Sequence, residues 1–211
     1  MLACPRRRAV RKGSTGVTYR IGVLSVQGDF AEHIAAMNDL DEVEAIGVKT
    51  KDAIRSCDGL IIPGGESTTI GKLCRRFGLD EAIGALHAAG TPIFGTCAGL
   101  ILMAKYIVDS DQWRLGYLDA EVKRNAFGRQ IDSFETDLPI VGVEGGQARA
   151  VFIRGPYVTR VEPNVEVLAT YADKIVMVRQ GHLLGAAFHP ELTDDRRVQR
   201  YFLEMVKAAA Q

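Results

Sequence analysis

Three short segments carry residue types suited to acyl-transfer chemistry. In the first, the apolar run Pro92-Ile93-Phe94 leads through Gly95-Thr96-Cys97-Ala98-Gly99 into a helical stretch bearing Leu100, Ile101, Leu102 and Met103. This is the cysteine form of the G-x-S-x-G elbow, in which glycines beside the apex permit a tight strand-to-helix turn that presents the central side chain. At a helix start, unpaired N–H groups and the positive end of the dipole stabilise a sulfur anion, the nucleophilic form. Cys97 is therefore the candidate nucleophile. Cys57 and Cys74 lack such flanks and read as buried packing residues, the usual fate of a free cysteine. Cys4 falls in the basic N-terminal stretch.

The second segment, His189-Pro190-Glu191, ends the apolar run Leu183 to Phe188. A residue before proline is held extended and Pro190 fixes its own φ, so side chains 189 and 191 are expected to project to one side. Glu191 would then grip one ring nitrogen and leave the other for the thiol, as in a nucleophile, base and carboxylate triad. The chain order Cys97, His189, Glu191 is that of elbow enzymes on α/β scaffolds. His33, His87 and His182 read as structural histidines. In the third segment, Gly64-Gly65 opens a helix at Glu66-Ser67-Thr68, and paired glycines leave N–H groups uncovered for an oxyanion. A phosphate cradle is the rival reading, weakened because G-x-x-x-x-G-K-[ST] is absent.

These segments need a scaffold that delivers them to one rim. From Arg20, apolar runs (RIGVLSV, VEAIGV, GLIIP, TPIFG) alternate with helical stretches, one of them from Asp29 to about Leu40. Leu60-Ile61-Ile62 is apolar without alternation, as in parallel strands buried on both faces. The second half offers strands in EVKRN, QARAVFIR, VEVLATY, KIVMVRQ and LLGAAFH, with Gln180-Gly181-His182 as a hairpin turn. A closing helix carries Val198, Tyr201, Phe202, Met205 and Val206 on one stripe, with Asp194 or Asp195 as its cap. The expectation is one α/β domain over residues 20–211, three layers deep, with a mostly parallel open sheet and an antiparallel extension. All three segments then leave strand ends at the rim where such sheets bind ligands.

Residues 1–19 read as a poorly ordered basic arm, with Arg6, Arg7, Arg8, Arg11 and Lys12 close together; a transit peptide is the weaker alternative. Over the whole chain 26 Lys+Arg balance 26 Asp+Glu, so no summed field gathers nucleic acid or an anionic membrane. No apolar run approaches the roughly twenty residues of a membrane span. The cysteines show no CxxC pair and no zinc spacing, so reduced thiols in a cytoplasm are expected, with no metal and no cofactor.

The elbow, the PGGEST loop and the HPE segment, in that order, resemble class I glutamine amidotransferases. VLSVQGDFAEH, LIIPGGESTTIGKL, PIFGTCAGLILMAK, KRNAFGRQIDSFE, VFIRGP and VRQGHLLGAAFHPELTDD together resemble the glutaminase-subunit family of pyridoxal 5′-phosphate synthases, from Ile21 to about Val206. The resemblance implies a flavodoxin-like amidotransferase fold and hydrolysis of L-glutamine to glutamate and ammonia. It implies an oxyanion hole from Gly65 and Ala98, and a glutamine site from Gly65, Glu66, Ser67, Arg124, Ile153 and Arg154. Guanidinium groups suit an α-carboxylate on physical grounds as well. It further implies a (β/α)8-barrel synthase partner in a large hetero-oligomer, with His33 and the Gln27-Gly28-Asp29 turn as contact residues. A glutaminase of another pathway and a catalytically silent docking subunit remain the alternatives.

Overall fold

The computed structural model describes residues 10–12, 16–124 and 133–211. Its centre is a run of short strands whose side chains are buried on both faces: β4 (Gly59–Ile62), β5 (Ile93–Thr96) and β13 (Leu183–Ala186). Their unbroken apolar sequence follows from that double burial. With β2 (Gly16–Leu24) and β3 (Val43–Val48) they form a parallel core in the order β3-β2-β4-β5-β13. β2 starts at Gly16, ahead of the boundary expected at Arg20, and β1 (Val10–Lys12) pairs antiparallel with its first residues.

The sheet continues antiparallel beyond β13. β12 (Lys174–Gln180) pairs with it in a register that sets Gln180 opposite Leu183. This leaves the two-residue turn Gly181-His182, with Gly181 at φ +56°, the left-handed conformation such hairpins require. Outward from β12 follow β10 (Tyr157–Val161), β7 (Leu118–Lys123) and β6 (Ala104–Ile107), the last parallel to β7, while β11 (Glu166–Tyr171) pairs antiparallel along residues 174–179 of β12. β8 (Ser133–Leu138) and β9 (Ala148–Ile153) make a separate two-stranded ribbon.

Strand alternation assigns the helices to two faces. Phe94 packs tilted against Phe202 of α6 (Arg197–Ala209), with ring centroids 5.5 Å apart, and Thr96, two residues on, reaches His33 of α1 (Phe30–Asn38). Gly95, pointing the other way, lies under α5 (Ala98–Met103), where a Cβ would come 2.7 Å from Met103 Sδ. Against α5 packs α3 (Ser67–Arg76), followed by α4 (Leu79–Ala88) and α2 (Lys51–Arg55). The result is a three-layer α/β architecture, as expected. α6 buries Val198, Phe202, Met205 and Val206, but its N-cap position is Arg196. Asp195 accepts instead from Arg197 N at 3.1 Å, because its carboxylate is held by the Arg197 guanidinium.

The elbow depends on a close backbone approach. A Cβ on Gly99 would fall 2.0 Å from the Ile62 carbonyl oxygen at the end of β4, a contact that only backbone movement relieves. Gly99→Ala is expected to destabilise by about 1–3 kcal/mol, lowering the melting temperature by roughly 2–10 °C. Gly16→Ala, with open space at its Cβ, should leave it nearly unchanged. Calorimetry of the two variants checks the difference.

Candidate active site

Cys97 occupies the apex between β5 and α5 with φ 45° and ψ −99°, a positive φ that a side chain other than glycine adopts only under strain. Two main-chain bonds hold it there. Cys97 N donates to Ala186 O on β13 at 2.8 Å, and Ile101 N donates to Cys97 O at 3.2 Å. The residue keeps 8% of its surface exposed. Burial pushes the Cys57 thiol up to about 11 and the Cys74 thiol up to about 12, so both stay protonated at neutral pH.

His189 lies beyond the end of β13, and its N–H donates to Val151 O of β9 at 2.8 Å. The residues that follow, Pro190–Leu192, form a 3-10 turn. The expected extended geometry is therefore corrected: Glu191 meets the imidazole by folding back through that turn. Glu191 Oε1 is 2.7 Å from His189 Nδ1, with both side chains almost wholly buried. The Cys97 side chain also neighbours the His189 ring closely enough to act on its charge. Burial disfavours the imidazolium, but hydrogen bonds to Cys97 and Glu191 and the charges they carry outweigh it and raise His189 to about 10. Burial likewise works against the Glu191 anion, and the neighbouring His33 and His189 nevertheless hold its carboxyl below the usual range.

The Gly64-Gly65 turn packs on the imidazole. A Cβ on Gly64 would stand 2.4 Å from His189 Cε1, and Gly65 adopts φ +141°. The turn is fastened to the loop after β2: Asp29 N donates to Gly64 O at 3.2 Å, and Glu66 N donates to Gln27 Oε1 at 2.8 Å. Ala98, the second expected oxyanion residue, follows Cys97 as the first residue of α5.

Of the expected glutamine-site residues, Ser67 and Arg124 meet at Gln112, and Glu66 pairs with Arg124. Arg124 Nη1 donates to Gln112 Oε1 at 2.7 Å, Arg124 Nη2 lies 3.5 Å from Glu66 Oε1, and Gln112 Nε2 donates to Ser67 Oγ at 3.2 Å. Ile153 and Arg154 lie at the exposed end of β9, the strand whose Val151 carbonyl receives His189 N. Arg154 has φ 45° and bonds to none of the other expected residues. A cavity of about 550 Å³ shares Gln112 with this group and is otherwise lined by Thr68, Lys72, Arg75, Arg76 and Trp113.

Three polar residues here went unassigned to the site in the sequence. His33, read as structural and as a docking contact, is 1% exposed, so it offers no contact surface; its Nε2 lies 2.9 Å from Thr96 Oγ1 and 3.3 Å from Glu191 Oε2. Burial lowers its pKa and keeps the ring neutral. Asp29 Oδ2 lies 3.5 Å from His189 Nδ1. Gln112 sits in an irregular segment with no motif to mark it. The spacing Asp29-x-x-x-His33 puts both on one helical face and was the one available signal. Asp29, His189 and Glu191 each bring one ligand atom within 4.8 Å of the others, the described grouping that could hold a metal ion. An ion there would have to displace the proton shared by Nδ1 and Oε1. Among the described residues no helix is long and apolar enough to cross a membrane.

Comparison with known proteins places this geometry in a family. The family model of the SNO glutamine amidotransferases matches residues 23–208. The chain is 56% identical over 189 residues to the pyridoxal 5′-phosphate synthase subunit PdxT of Moorella thermoacetica, covering 89% of this chain and 99% of that protein. It is 52% identical over 198 residues to the protein of the same name from Acidothermus cellulolyticus, covering 90% and 95%. A crystal structure of a glutamine amidotransferase superposes with a TM-score of 0.84 at 50% identity, covering 89% of this chain and 98% of that one.

The state of His189 is directly measurable. With its pKa raised above the unfolded value, the stabilisation from its partners is fully present below about pH 6.5 and is lost as pH climbs through about 10. NMR titration of the His189 ring should show it protonated through pH 8, and Glu191→Gln should move the midpoint down by roughly one to three pH units. A wild-type midpoint near 6.5 would contradict this electrostatic account.

Proposed function

The chain belongs to the SNO glutamine amidotransferase family, and from that membership we propose that it is the glutaminase subunit of a pyridoxal 5′-phosphate synthase. It hydrolyses L-glutamine and passes ammonia to a synthase subunit for vitamin B6 biosynthesis. The observation that carries this reading is the buried contact chain from Cys97 through His189 to Glu191, at a strained elbow, within a family whose named relatives are synthase subunits.

The residues act in two half-reactions. The Cys97 sulfur anion attacks the side-chain amide carbon of glutamine, and the resulting oxyanion is met by the N–H groups of Gly65 and Ala98. His189, charged and steadied by Glu191, gives its proton to the departing nitrogen, so the C–N bond breaks, ammonia leaves and a glutamyl thioester remains. His189 then takes a proton from water as the oxygen attacks the thioester, releasing glutamate and restoring the sulfur anion. Glu66, Ser67, Arg124, Ile153 and Arg154 hold the amino-acid end of glutamine, with arginine suited to the α-carboxylate. The Arg124–Gln112–Ser67 bonds support this grouping.

Ammonia in bulk water is mostly protonated and unreactive as a nucleophile, so it travels through protein into the partner. We assign that partner as a (β/α)8-barrel synthase subunit in a large hetero-oligomer working in the cytoplasm. The basic N-terminal stretch lies ahead of the family match, which starts at residue 23, and the amidotransferase domain takes in β2 from Gly16.

Ammonia release measured with and without the synthase tests the assignment. Adding the synthase should stimulate the wild-type chain, whereas no response would assign the glutaminase to another pathway. Cys97→Ala should lower turnover by roughly four orders of magnitude or more while docking persists; retained turnover would remove the nucleophile. Arg154→Ala should raise KM for glutamine by about 10- to 100-fold, the worth of a charge-assisted contact, with a smaller change in kcat. An unchanged KM would remove Arg154 from the site.

A further inference from the structure

The Glu191 carboxylate has two oxygens and only one is accounted for by His189. Oε1 takes the bond to Nδ1, while Oε2, fully buried, has no hydrogen-bond partner of regular geometry among the described residues. Nε2 of His33 stands 3.3 Å from it and 2.9 Å from Thr96 Oγ1. A carboxylate sealed from water with one bare oxygen is an expensive arrangement, and its orientation is weakly determined by a single partner. The contacts close a ring: Thr96 is covalently followed by Cys97, Cys97 meets His189, His189 meets Glu191, and His33 joins Glu191 back to Thr96.

We propose that His33 is a positioning residue for the glutaminase reaction: as a neutral imidazole protonated at Nε2, it shares that proton between Glu191 Oε2 and Thr96 Oγ1 and so fixes the carboxylate against the strand that carries the nucleophile. This rests on the triad assigned above. Its side chain meets Glu191 and Thr96, and it acts through Glu191. Its backbone belongs to the first turns of α1, with its N–H donating to Asp29 O, so the ring approaches from a different element than the two residues it ties together. A second partner that orients the carboxylate behind an imidazole serves the same purpose as the outer partners of metal-bound histidines, whose removal lowers activity by roughly 10- to 100-fold.

The test uses the full chain saturated with its synthase partner, reading ammonia release at varied glutamine. His33→Leu keeps the volume and removes the donor. It should lower kcat by about 10- to 100-fold with KM changed by less than about threefold. His33→Gln places an amide N–H close to where Nε2 stood and should recover most of the lost kcat. The Glu191→Ala background separates positioning from packing, since residues acting as one unit are non-additive. There, adding His33→Leu should change kcat by less than about twofold. Equal losses in the wild-type and Glu191→Ala backgrounds, or no rescue by His33→Gln, would overturn the role of His33. Full activity of His33→Leu would overturn it as well. Undiminished turnover in Cys97→Ala would instead overturn the triad beneath it, so the two failures are distinguishable.

Discussion

A proton shared over 2.7 Å between His189 Nδ1 and Glu191 Oε1, out of reach of water, sets the chemistry of the whole rim. Burial alone would neutralise both groups, since each charge loses its hydration. They stay charged because each is the other's solvent, and because Cys97 presents its sulfur to the same ring. The surrounding architecture serves to hold this pair still: β13 delivers His189 to the rim, β9 takes its N–H, and the 3-10 turn at Pro190 swings Glu191 back beneath it.

The same economy of position explains the elbow. Cys97 is held at a positive φ by bonds to β13 and by the first turn of α5, which comes so near the end of β4 that only glycine fits at position 99. Strain at one residue is tolerated because three parallel strands and a helix over-determine it. Gly64 is under a matching constraint, since any side chain there would strike the imidazole. Two glycine-bearing loops and one strand end thus converge because each is trimmed to backbone where it meets the others.

Much of this was legible in the chain itself. The parallel core could be read because β4, β5 and β13 are buried on both faces and show it as unbroken apolar runs. Cys97, His189 and Glu191 could be read because an elbow and a strand-end HPE have few other uses. β8, with polar residues along SFETDL, and β10, half exposed, carry no such run, and β6 is short and continuous in sequence with the apolar α5. The 3-10 turn was hidden because the rule for a residue before proline speaks only for His189, at φ −108° and ψ 85°, and the turn begins one residue later at Pro190. His33 and Gln112 escaped notice for a different reason: their partners lie 63 and 45 residues away in the chain, at Thr96 and Ser67, and no local pattern encodes such a distance.

The covalent intermediate is the point at which the account is most exposed. Rapid acid quenching of the complex during glutamine turnover, followed by peptide mass analysis, reads where the glutamyl group resides. A thioester on the peptide containing Cys97, and none on those containing Cys57 or Cys74, is the result the buried triad predicts. Steady ammonia release with no adduct at Cys97 under any quench time, or with the adduct on another residue, would contradict it.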